Sequence, residues 1–76
     1  MNGYFEFQDI DLQTLMRQIG RWYDVDITYD VHFDQLKLKR ITGKFSRTVR
    51  LESLLNELGE EGMRFRVEGT TVHVLP

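Results

Sequence analysis

Two serines, two histidines and one adjacent pair of glutamates are the side chains of this sequence whose types could do chemistry. Ser46 and Ser53 have no histidine near them in sequence and sit in no strained elbow motif, so neither reads as an activated nucleophile. His32 and Asp34 are two metal-ligand types in a polar connection, and a metal site needs three or more that converge. Glu60 and Glu61 read as a solvated turn, because an acid/base pair requires a cleft that raises one pKa. His73 alternates outward from a final strand, beside Arg64 or Arg66, as an ordinary surface histidine. Gly43, Gly59, Gly62 and Gly69 are spaced as structural punctuation and form no phosphate-cradling loop. The chain has no cysteine, which removes disulfides, zinc–thiolate sites, iron–sulfur clusters and thiol nucleophiles together. The expectation is a protein with no catalytic residue, no metal and no cofactor.

The elements that would have to position any site follow from periodicity. With 76 residues and 41% hydrophobic content, the chain has room for one core and no second domain. No apolar run approaches the roughly 20 residues of a membrane-spanning helix, and the N-terminus lacks a signal-peptide layout. Gly3 to Gln8 alternates as a strand with Phe5 and Phe7 on one face. Asp9 or Asp11 then offers an N-cap to a helix whose stripe is Leu12, Leu15, Met16 and Ile19, closed by Gly20. Arg21 to Asp24 is expected to turn the chain into a strand carrying Val25, Ile27 and Tyr29. Residues 31 to 38 read as a connection. Leu38 to Phe45 reads as a third strand, with Arg40, Thr42 and Lys44 on its polar side. A second helix carries Leu51, Leu54, Leu55 and Leu58, closed by Gly59 or Gly62. Met63, Phe65 and Val67 then alternate along a strand that Gly69-Thr70 turns into a last one carrying Val72 and Val74.

An internal repeat organises these elements. Ile10, Leu12, Leu15, Met16, Ile19 and Gly20 recur 39 positions later as Val49, Leu51, Leu54, Leu55, Leu58 and Gly59. The following strands match after a one-residue slip, Val25, Ile27 and Tyr29 against Met63, Phe65 and Val67, and Phe7 lies opposite Phe45 with a similar slip. The repeat predicts an α+β domain of two βαβ units plus a closing strand, βαββαββ, with each helix stripe buried on a small sheet. It also isolates what is not shared. Where the second half has Glu60-Glu61-Gly62, the first has Arg21-Trp22-Tyr23-Asp24, and two large aromatics in that place either plug the core or meet a partner.

Charge is segregated although the net charge is only -2. Residues 1 to 36 hold seven acids against Arg17 and Arg21, and then Lys37, Lys39, Arg40, Lys44, Arg47 and Arg50 follow without an acid. The overall acidic balance, and the lack of a helix-turn-helix, an RNP-like aromatic motif or a GXXG loop, argue against nucleic acid. The basic strand is expected to meet the carboxylates of its neighbour in cross-strand pairs. Short sheets leave edges that can accept a strand from another chain, and the terminal segments Tyr4 to Gln8 and Thr71 to Leu75 are the expected edges, with Tyr4 as an outward aromatic. The other reading is that Glu6 and Lys44 keep such edges soluble.

The run Tyr4-Phe5-Glu6-Phe7, then Asp11-Leu12, Ile19-Gly20-Arg21-Trp22-Tyr23-Asp24-Val25, Gly43-Lys44-Phe45, Leu54-Leu55, Leu58 and the hairpin with Gly69 resembles the C-terminal domain of FecR-family anti-sigma factors. The resemblance covers almost the whole chain, and its most specific piece is Arg21 to Val25 followed at the right distance by Gly43-Lys44-Phe45. Val49-Arg50 departs from it, standing where such domains often carry a small helix-capping residue. The resemblance implies a longer regulator with a cytoplasmic segment that holds a sigma factor, one transmembrane helix and a periplasmic region ending in this domain. It further implies a partner, the signalling domain of a TonB-dependent outer-membrane transducer (the secretin/TonB short N-terminal type), no nucleic acid, and no direct membrane contact by this domain. Any targeting segment would then lie upstream. Expected contact residues are Trp22, Tyr23, Tyr4, Arg40, Thr42 and Lys44. A structural role within the regulator's own periplasmic region, or the binding of a small ligand, are the alternatives.

Overall fold

The computed structural model describes residues 3–29, 38–60 and 62–75. His32, Asp34, Glu61 and the connection expected over 31 to 38 therefore lie, apart from Leu38, outside the described residues. The chain runs β1 (Tyr4–Asp11), α1 (Leu12–Tyr23), β2 (Asp26–Tyr29), β3 (Arg40–Ser46), α2 (Leu51–Gly59), β4 (Arg64–Glu68) and β5 (Thr71–Leu75). This is the expected α+β order, βαββαββ. Both helices start at the 39-residue offset of the repeat, with Asp11 and Arg50 as their N-caps.

The order alone does not convey the pairing. The first strands of the two units, β1 and β3, pair antiparallel with each other, while β2 and β4 flank β5 in a second sheet of order β2-β5-β4. Each sheet thus draws a strand from both halves of the repeat. β5 runs parallel to β2 and antiparallel to β4. The final strand is therefore the centre of its sheet and not an edge. The reason is its side chains: Val72 and Val74 are fully buried, and a strand buried by its neighbours on both sides is the natural middle of a short sheet.

β1 is longer than its alternation suggests because it contains a bulge. The register passes from Phe7 opposite Gly43 to Ile10 opposite Ile41, so Gln8 and Asp9 together oppose Thr42. Asp9 takes a φ of 51°, which Asp tolerates better than most residues. The extra residue shifts the phase by one, and that puts Ile10 on the same inward side as Phe5 and Phe7. The backbone N–H of Asp9, displaced from the ladder, donates to Thr42 Oγ1 at 3.0 Å.

The core joins the stripes of both helices to the inner faces of both sheets. Leu12, Leu15, Met16, Ile19 and Leu54 are fully buried, with Leu55, Leu58, Met63, Phe7 and Ile41 nearly so. Among the described residues no polar or charged side chain is buried, and no helix is long and apolar enough to cross a membrane.

Candidate functional site

The segment Arg21 to Asp24 does not turn the chain after Gly20, as expected from the glycine; it continues α1 for most of another turn. Gly20 has a different task. A Cβ there would stand 3.0 Å from the carbonyl oxygen of Val25 and 3.3 Å from Ile27 Cγ1, so glycine lets β2 fold back tightly against the helix. The true stop is Asp24, whose φ of 54° is left-handed and whose N–H returns to the Gly20 carbonyl oxygen, as does Val25 N–H at 3.0 Å. At the other end, both oxygens of Asp11 are engaged: Oδ2 accepts from Thr14 N–H at 2.9 Å and Oδ1 from the Thr14 hydroxyl at 2.8 Å. Those hydrogen bonds hold the Asp11 carboxyl below its ordinary pKa.

Extending α1 carries Trp22 onto the first sheet and Tyr23 toward the entry of α2. Trp22 lies flat on Phe5, centroids 3.8 Å apart and planes within 10°, and reaches Phe7 at 5.6 Å. Even so, 38% of Trp22 remains exposed. Tyr23 packs against the core and donates its hydroxyl to the carbonyl oxygen of Val49 at 2.6 Å, tying the end of α1 to the entry of α2. Burial pushes its phenol above the ordinary tyrosine pKa. The guanidinium of Arg47 stands 5.1 Å from the centroid of Phe5.

The other expected contact residues lie on the opposite face of the β1–β3 ribbon. Tyr4, Arg40, Thr42 and Lys44 are all exposed there. Lys44 Nζ sits 4.4 Å from the Tyr4 ring centroid and 3.8 Å from Glu6 Oε1, and Arg40 reaches Asp9 at 3.7 Å. These are the cross-strand pairs expected of the basic strand, and at such exposure each contributes about 0–1 kcal/mol. Thr42 is occupied by the bulge. Around it Glu6, Phe7, Gln8, Thr42, Gly43 and Lys44 line a shallow concavity of about 490 Å³. The six expected residues thus form two surfaces, an aromatic one on the helix side and a charged one on the outer side.

Two features were not expected from the sequence. His73 is only 27% exposed, its Nδ1 hydrogen-bonded with Thr28 Oγ1 at 2.7 Å and its Nε2 3.2 Å from Glu68 Oε1, so it bridges all three strands of its sheet. The second feature is a groove of about 340 Å³ between α2 and β4, lined by Glu52, Leu55, Asn56, Gly59, Met63, Arg64, Phe65 and Val67. Val67, expected inward by alternation, is 43% exposed in it. The absence from the second half of any counterpart to Trp22-Tyr23 was the signal that could have found it. Among the described residues no group of three or more His, Asp or Glu side chains is placed to hold a metal ion.

Fold and surface together define a small α+β domain that presents aromatic and charged faces around an apolar core. A family model described as FecR, C-terminal, matches residues 4–74, and the chain belongs to that family. Two crystal structures of a candidate anti-sigma factor from Parabacteroides distasonis share the fold, with TM-scores of 0.82 and 0.83 at 22% identity over 95% and 96% of this chain. The present chain spans 33% of the length of those chains. No curated protein matches the sequence.

Proposed function

We propose that this chain is the periplasmic protein-interaction domain of a membrane-anchored anti-sigma regulator. In this reading it contacts the signalling domain of a TonB-dependent outer-membrane transducer and relays that transducer's state to an extracytoplasmic-function sigma factor held by the regulator's cytoplasmic segment. The observation that carries the reading is the family match over residues 4–74. Relay of this kind asks for a modest protein interface whose occupancy shifts a conformational equilibrium. Trp22 suits such an interface, being rigidly stacked yet 38% exposed, and rigid aromatics are common anchors.

The test is an NMR titration of the domain against the signalling domain of its neighbouring transducer. Shifts centred on Trp22, Tyr23 and the β1–β3 ribbon are expected, with Trp22→Ala abolishing them while the fold persists. Absence of any shift at several hundred micromolar, a concentration that would reveal binding with a Kd of about 1 mM, would sink the two-domain form of the proposal.

A second reading has one observation in its favour: the matching chains are about three times as long. In it, the domain packs within the regulator's own periplasmic region and protects it. Limited proteolysis of the whole regulator with and without residues 1–76 separates the two, since unchanged cleavage elsewhere rules out this second role.

A further inference from the structure

The two halves of the domain cover their apolar sides unequally. On the first sheet, Trp22 closes over Phe5 and Phe7. On the second, Leu55, Phe65 and Val67 line an open groove beside Glu52 and Asn56 of α2. β4 is also an edge strand, since the order β2-β5-β4 places no described strand on its outer side. No backbone hydrogen bond links it to any described element other than β5. Alternate residues of such a strand turn their N–H and C=O groups outward, unpaired.

What singles out this edge is that its sequence is its own antiparallel complement. About a two-fold axis through Arg66, Arg64 faces the second copy's Glu68, and Phe65 faces the second copy's Val67, a favourable pairing of aromatic with β-branched side chain. Arg64 forms no ion pair among the described residues, whereas Arg66 Nη2 is held by Glu68 at 2.9 Å. The two contacts of Glu68, to Arg66 and to His73, both use Oε1, so Oε2 is left to receive the incoming Arg64. Each Arg66 meets its twin across the axis already paired with its own carboxylate.

We propose that the β4 edge and the adjoining α2 groove are a homotypic docking surface, occupied by the same surface of a second copy of this chain. An axis perpendicular to the sheet joins the two β4 strands into one six-stranded sheet. It places both α2 helices on the same side, so that the two grooves face each other and enclose Phe65 and Val67 of both copies. A five-residue edge is small for an interface, and the association is weak, with a Kd on the order of 0.1–1 mM.

Sedimentation equilibrium and concentration-dependent NMR shifts of the 76-residue chain, from about 20 μM to 2 mM to span that Kd, test the proposal. Expected are a monomer–dimer equilibrium and shifts confined to β4 and the groove face of α2. Val67→Lys, on an exposed position that leaves the core intact, should keep the far-ultraviolet circular dichroism and abolish dimerisation. Arg64→Glu, which sets a carboxylate against the second copy's Glu68, should weaken it about tenfold or more. A chain that stays monomeric across the range, shifts that map to the β1–β3 ribbon, or a Val67→Lys chain that still dimerises would overturn the proposal. Association of β4 only with an unrelated extended acidic segment would also overturn it.

Discussion

The two helices begin at equivalent positions and bury equivalent stripes, yet they are finished differently at both ends. α1 is capped by an Asp11 carboxylate whose two oxygens are engaged, and it runs on into Trp22 and Tyr23 before a left-handed Asp24. α2 begins at Arg50, which makes no side-chain cap, and stops at Gly59 with a right-handed Glu60. What the halves share is the packing face, and what they do not share is everything that decides which surface stays open. A repeat can therefore conserve a core while its ends diverge toward different external roles.

The largest expected break in this comparison is Trp22→Ala. Removing a buried Trp costs about 3–5 kcal/mol, and the exposed part of Trp22 lowers the expectation to about 2–3 kcal/mol, read as a shift in urea midpoint. If the loss is below about 0.5 kcal/mol, Trp22 is only a surface residue.

Next come the two equivalent glycines, substituted in parallel. Gly20→Ala should destabilise by about 1–2 kcal/mol, since the contact at 3.0 Å is with backbone and outweighs the helix propensity of alanine. Gly59→Ala, which meets nothing within 4 Å, should stabilise by up to about 1 kcal/mol. Equal effects at the two positions would show that the close approach of β2 to α1 is unimportant.

Tyr23→Phe removes the tie between the helices and should cost about 1 kcal/mol at neutral pH. Its pH dependence follows from the sign of the shift. The folded-state pKa is raised by burial, so the contribution is whole below the unfolded value near 10 and disappears as pH rises through the folded value. Tyr29, raised by burial and partly offset by Arg17, titrates in the same direction and will persist in the variant. Alkaline denaturation of both chains measures the difference.

The smallest effect tests the N-caps. Arg50→Asp should stabilise α2 by about 0.5–1 kcal/mol, giving it what α1 already has. Asp11→Asn should lower the melting temperature, most at neutral pH. The Asp11 carboxyl is depressed by its hydrogen bonds to Thr14, so its contribution is present above the unfolded value near 4 and fades as pH falls through the folded value. The native and Asp11→Asn stabilities should converge in acid.

Most of the elements were legible because helix stripes and strand alternation are local patterns. Leu12, Leu15, Met16 and Ile19, and their partners 39 residues on, name the helices without any tertiary knowledge. Helix termination was harder to read. Gly20 looks like a stop signal, but its missing Cβ serves a contact with Val25 and Ile27 that sequence cannot display. The central place of β5, against the edge expected for Thr71 to Leu75, does not show in the sequence, because proximity to the end of a sequence says little about position in a sheet. The bulge at Asp9 was hidden by the same logic, since alternation breaks there by one residue and is restored at Ile10. Of the surface, the cross-strand charge pairs and the prominence of Trp22 and Tyr23 were visible in composition and in the repeat. The division of the contact residues between two faces, and the groove beside β4, depend on which strands meet and were not.

The central position of β5 has a consequence for timing. β2 and β4 make no ladder with each other, and both wait for Thr71 to Leu75 to come between them. During synthesis from the N-terminus this sheet has no seed until its final strand emerges, so the domain should close late and nearly at once instead of growing from its beginning. A chain cut just before Thr71 would retain both helices in sequence but lose the one strand that holds the halves of the sheet together.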